Sequence, residues 1–90
     1  MIYADASEVS KGVFLIGYIS ANNSKRAYKR IKAKDNNVAE KAAIEFALQN
    51  SDGEVVASDS LNNVAGINNP QVVFVPRSNN LADLYIKSCK

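Results

Sequence analysis

Four carboxylates occupy positions where a carboxylate needs a reason. Asp5 lies inside the apolar opening run Met1-Ile2-Tyr3-Ala4-Asp5-Ala6-Ser7. That run reads as a β-strand, in which aspartate is disfavoured because its short side chain competes for backbone hydrogen bonds. A carboxylate buried there costs several kcal/mol unless an ion pair or a metal ion compensates. Glu40, Asp59 and Asp83 are the later acids that could meet it.

Each of the three also has a plainer account. Asp35-Asn36-Asn37 is a helix start signal, and Asn37 with Glu40 three residues on matches a capping box. Yet Glu40 precedes Ala43, Ile44, Ala47 and Leu48 at helical spacing, so it points along the apolar stripe toward the sheet. Asp59 follows Glu54 to Ser58, a run apolar in its middle that suits a central parallel strand. Ligands bind at the C-terminal ends of such strands. Asp59 could equally cap a short helix from Leu61 to Ala65. Asp83 opens the last helix, where the dipole favours an acid and Lys87 stands one turn on.

Taken together, the four acids suggest one site. Gathered carboxylates repel and raise one another's pKa unless divalent cations offset the charge. Oxygen-only ligands suit Mg²⁺ or Mn²⁺. Two such ions about 3.5–4 Å apart can clamp the attacking and leaving oxygens of a phosphodiester. No histidine and no protein nucleophile are required.

The elements that must position them follow in order. After the first strand, Ser7 to Gly12 reads as a polar turn. Val13 to Ser20 is a second strand, with Gly17 marking a bulge or a close backbone approach. Asn22-Asn23-Ser24 turns the chain into a third strand, Lys25 to Lys34. Links this short demand an antiparallel meander. A helix to about Asn50, a strand Glu54 to Ser58 and the short helix come next. Gly66 to Gln71 is a loop, and Val72 to Val75 the fifth strand. Pro76 ends that strand, and Ser78 or Asn79 caps a helix from Leu81 to Ser88. The order is β-β-β-α-β-(short α)-β-α, with strands 1, 4 and 5 parallel through right-handed crossovers.

Ninety residues make one domain, 1–90, with a modest core. The single cysteine, Cys89, excludes an internal disulfide and suits a reducing, cytoplasmic setting. The absence of histidine removes imidazole ligands and the usual general base. No apolar run is long enough to span a bilayer, and no cleavable leader precedes the first strand, so no membrane association is expected. Six of the eleven basic residues fall between Lys25 and Lys34. Lysines there protect a sheet edge. Lys25, Arg26, Lys29 and Arg30, with Tyr28 among them, also form a footprint for a phosphate backbone.

These residues carry a family resemblance. The pieces are Tyr3-Ala4-Asp5-Ala6-Ser7 with Gly17-Tyr18-Ile19, and Asn36-Asn37-Val38-Ala39-Glu40 continuing to Ala47-Leu48. Ser58-Asp59-Ser60 and Val75-Pro76-Arg77-Ser78-Asn79-Asn80-Leu81-Ala82-Asp83-Leu84 complete them. In this order they resemble type 1 ribonuclease H and the wider ribonuclease H-like group, over nearly the whole chain. The resemblance implies an α/β fold with a five-stranded mixed sheet, order 3-2-1-4-5, strands 1–3 antiparallel, flanked by helices. It implies an endoribonuclease that cleaves the RNA strand of RNA/DNA hybrids using two Mg²⁺ or Mn²⁺ ions. In that family the equivalent of Asp5 bridges the ions, those of Glu40 and Asp59 complete one shell, and that of Asp83 the other. The Glu40 position also touches a ribose 2′-hydroxyl. Asn37, Arg77 and Asn79 join the basic strand as nucleic-acid contacts.

The chain departs from the family in three places. The mobile histidine before the last helix is missing, which implies slower turnover, with Arg77 or Asn79 taking part of its role. The helical insert that carries a basic handle is missing between Ser60 and the fifth strand. The spacing from Arg77 to Asp83 is one residue shorter than in the nearest relatives. A homodimer partner or a second protein could supply the missing grip. The alternatives to a hybrid-cleaving enzyme are a ribonuclease H-like binding module that does not cut and a nuclease acting on another nucleic acid.

Overall fold

The computed structural model describes residues 1–22 and 24–89; Asn23, in the expected turn, lies outside the described residues. Five strands, β1 (Ile2–Ser10), β2 (Val13–Ser20), β3 (Arg26–Lys32), β4 (Val56–Ser58) and β5 (Val72–Phe74), form one sheet in the order β3-β2-β1-β4-β5. β1, β2 and β3 are antiparallel neighbours, and β1, β4 and β5 run parallel. Three helices, α1 (Asn36–Gln49), α2 (Leu61–Ile67) and α3 (Leu81–Ser88), flank the sheet. The mixed α/β architecture and its strand order are those expected. Among the described residues, no helix is long and apolar enough to cross a membrane.

The first hairpin is tighter than expected. β1 continues through Ser7 to Ser10, with a bulge between Glu8 and Ser10, and only Lys11-Gly12 makes the turn. Gly12 has φ +74, a left-handed conformation that disfavours side chains. Gly17 is extended and serves a close approach. A Cβ there would lie 2.6 Å from Ile86 Cδ1 and 2.8 Å from the Ala27 carbonyl. The last helix can therefore settle onto β2.

The two faces of the sheet are covered by different helices. Directly opposed residues on paired strands share a face. Ala4 and Ala6, opposite Tyr18 and Ile16, pack in the core with Ala39, Ala43, Ile44 and Ala47 of α1. The small side chains on both sides of that contact let helix and strand approach closely, since interaxial distance follows the side chains at the contact. Asp5 opposes Gly17, whose missing side chain faces Ile86 of α3. β1 thus turns its alanines to α1 and Asp5 to the α3 side.

Helix starts differ from expectation. Asp35, not Asn37, caps α1; its Oδ1 accepts from the Val38 N–H at 2.9 Å. Of three consecutive capping residues the first wins, because the chain enters the helix immediately after it. Glu40 therefore falls beyond the capping-box position. Ser60, not Asp59, is the N-cap residue of α2, which runs to Ile67 and ends at Asn68 in the left-handed region. Arg77–Asn79 forms a 3₁₀ turn, so the cap of α3 moves from Ser78 or Asn79 to Asn80.

Candidate metal centre

Three of the four expected acids meet. Asp5, Glu40 and Asp59 each offer a carboxylate oxygen, and these oxygens lie within 4.8 Å of one another. Each comes from a different element. Asp5 is in β1, one residue past Ala4, where the ladder to β4 ends at Ala4↔Ser58. Asp59 immediately follows β4. Glu40 comes from the second turn of α1, and reaches Asp5 where that ladder has stopped.

The cluster is anomalous for a protein interior. Asp5 is 2% exposed and Glu40 4%. Asp5 Oδ1 and Glu40 Oε2 are buried with no hydrogen-bond partner. Burial, followed by the Asp59 charge, pushes Asp5 up to about 7 from 3.8. Burial, followed by the Asp5 and Asp59 charges, pushes Glu40 up to about 9 from 4.5. No basic side chain pairs with Asp5 or Glu40 among the described ion pairs. Orphaned buried acceptors and mutual repulsion are what a divalent cation would relieve. The oxygen-only donor set fits a hard cation such as Mg²⁺ or Mn²⁺.

Asp83 does not join the three. It sits in the first turn of α3, 18% exposed, and accepts from Lys87 Nζ at 3.1 Å. Its charge still helps raise Asp5. It stands at the edge of the cluster, held by a partner one helical turn away.

The expected nucleic-acid contacts fall into separate groups. Lys25 ion-pairs with Asp52 at 2.8 Å and with Glu54 at 3.6 Å. Its backbone carbonyl bonds Ser20, level with Ile2, so it lies at the end of the sheet away from the acids. Arg26 is exposed near that end, opposite Ile19. Lys29 and Arg30 oppose Ile16 and Leu15, level with Ala6 and Ser7 and hence with the cluster. They point to opposite faces, Lys29 lying 4.5 Å from the centre of the Phe46 ring. Asn37, in the first turn of α1, and Arg77 and Asn79, in the 3₁₀ turn before α3, are exposed.

Two buried asparagines were not singled out by sequence reasoning. Asn63 donates to the Asn37 carbonyl at 2.9 Å and to Ser60 Oγ at 2.9 Å, tying α2 to the start of α1. Asn80 bonds Ala4, Asp59 and Ala82. Its position immediately before Leu81 was the available signal, because asparagine is a preferred N-cap.

No protein-family model matches the chain, and comparison with curated proteins finds no match. The functional reading rests on the geometry and on the residues themselves.

Proposed function

We propose that this chain is a ribonuclease H-like, divalent-metal-dependent endonuclease that cleaves the RNA strand of RNA/DNA hybrids. The observation that supports it most is the meeting of Asp5, Glu40 and Asp59 from three elements, with two buried oxygens left without partners. The sheet order and the order of the four acids along the chain agree with that reading.

Asp5, Glu40 and Asp59 would hold Mg²⁺ or Mn²⁺, with Asp83 at the margin. Bound cations supply the positive charge that draws in a phosphodiester and offsets the negative charge developing during its displacement. The protein's own part is to hold three carboxylates rigidly at a strand end and to screen two of them from water. The exposed side chains of Asn37, Arg77 and Asn79, with Arg30 and Lys29, offer donors and positive charge to a phosphate backbone. Lys25 is committed to Asp52 and Glu54 and contributes little to that set. A homodimer or a second protein is the proposed source of additional grip, and the cytoplasm the proposed compartment.

A second reading, a ribonuclease H-like module that binds nucleic acid without cutting it, draws on Asp83, whose carboxylate is engaged by Lys87. One assay separates the two. The protein is incubated with labelled RNA/DNA hybrid in Mg²⁺ and in Mn²⁺, beside single-stranded RNA, double-stranded RNA and DNA duplex. Metal-dependent cleavage of the hybrid alone, lost in Asp59→Asn, is the expected result. Binding without cleavage in either metal would favour the module; cleavage of another substrate would keep the chemistry and change the specificity.

A further inference from the structure

Asn80 joins the last helix to the first strand and to the acid cluster. It is 4% exposed, and its amide makes three hydrogen bonds. Nδ2 donates to the Ala4 carbonyl at 3.0 Å and to Asp59 Oδ2 at 3.2 Å. Oδ1 accepts from the Ala82 N–H at 3.0 Å and so caps α3. The partners fix the amide orientation: two acceptors lie on one side and one N–H on the other, and only an amide answers both. Aspartate would present acceptors to acceptors. Serine could still cap the helix but is too short to span the rest.

Two of the partners adjoin or belong to the acid cluster, and the third lies at the start of the helix that carries Asp83 at its edge. Ala4 is the residue before Asp5. Asp59 is itself a member of the cluster. Ala82 precedes Asp83, whose charge acts on Asp5. Carboxylates that bind metals are held in turn by hydrogen-bond donors, and removing such a donor typically weakens metal binding about 10- to 100-fold. Resting on the metal-site reading above, we infer that Asn80 is the positioning residue of this centre. It orients Asp59 and locks the start of α3 to β1, without touching substrate.

Two measurements test this. In the metal-free protein, the Asn80 side-chain amide resonances should be protected from solvent exchange and should shift in Asp59→Asn, while the Ala82 backbone amide stays protected. Rapidly exchanging Asn80 amide protons, or resonances unmoved by Asp59→Asn, would overturn the inference whatever the metal does. The second measurement is Mn²⁺ titration of folded Asn80→Ser, which keeps a capping hydroxyl. Its affinity should fall about 10- to 100-fold. The control is Gln71→Ala, which removes a part-buried amide that donates to Ser51 Oγ and the Glu54 carbonyl at the far end of the sheet. That variant should be destabilised and keep wild-type affinity. Equal affinities in wild type and Asn80→Ser, or equal losses in Asn80→Ser and Gln71→Ala, would make Asn80 merely structural. Absence of Mn²⁺ binding to the wild type would sink the metal-site reading and, with it, the positioning role in a metal centre. The amide measurement would still report whether Asn80 holds Asp59.

Discussion

Replacing Asp5 by asparagine should make the metal-free protein more stable, although it removes the central acid of the site. In the native chain Asp5 is raised from 3.8 to about 7 by burial and by Asp59. A tenfold change in proton affinity is worth about 1.4 kcal/mol, so at a pH above 7 up to ~4 kcal/mol opposes folding through this group. Some of that is shared with Glu40, and some is relieved by local relaxation, so we take about half, ~2 kcal/mol, as the gain on neutralising it. At about 4–8 °C per kcal/mol for a domain of this size, Tm should rise by about 8–16 °C near pH 8 without metal. The sign of the pH dependence follows from the same shifts. Asp5 and Glu40 both bind protons more tightly folded than unfolded, so the wild type is most stable below about pH 4 in these two groups' contribution. It loses that contribution as pH rises through about 7 and about 9. On the proposed metal-site reading, metal should reverse the order of the two proteins. At a concentration of a hundred times Kd, a bound cation adds about 2.7 kcal/mol to the wild type and little to Asp5→Asn. The assay is thermal unfolding across pH, with chelator and with Mg²⁺ or Mn²⁺. A metal-free Asp5→Asn less stable than wild type near pH 8, or a wild type whose metal-free stability does not fall from about pH 5 to about pH 9, would refute the reasoning.

Three further outcomes are expected. Gly17→Ala should cost about 1–3 kcal/mol in urea unfolding, since the new methyl meets Ile86 Cδ1 at 2.6 Å, and Ile86→Val should recover only part of it because the Ala27 carbonyl remains at 2.8 Å. Lys87→Gln should change stability by less than about 1 kcal/mol, as its pair with Asp83 is 61% exposed on the lysine side, yet should tighten Mn²⁺ binding in a titration by freeing that carboxylate. Arg30→Ala should weaken binding to hybrid and lower the slope of log K against log salt by about 1, while Lys25→Ala should leave that slope nearly unchanged.

Much of the architecture was legible because local and long-range signals agreed. β2 and α3 occupy the spans expected, and the meander followed from links too short for anything else. Asp5 could be singled out because an acid inside an apolar strand has no local explanation. The helix caps were harder. Asp35, Asn36 and Asn37 are all competent caps, and only the path of the backbone chooses among them. The same ambiguity hid Asn80 behind Ser78 and Asn79. Its reach to Ala4 spans 76 residues of sequence, which no local pattern encodes. Asp83 illustrates a different limit. Its place in the first turn of α3 was readable, but whether it turns to the cluster or to Lys87 depends on the angle at which α3 lands on the sheet. Gly17 and Ile86 set that landing, a contact between residues far apart in the chain.

The most direct test of the metal centre is a crystal grown with Mn²⁺ and examined for anomalous scattering. The account predicts a peak about 2.0–2.2 Å from carboxylate oxygens of Asp5, Glu40 and Asp59, absent from Asp59→Asn crystals grown alike. An ordered wild-type site with no peak among these three side chains, or an undiminished peak in the variant, would contradict it.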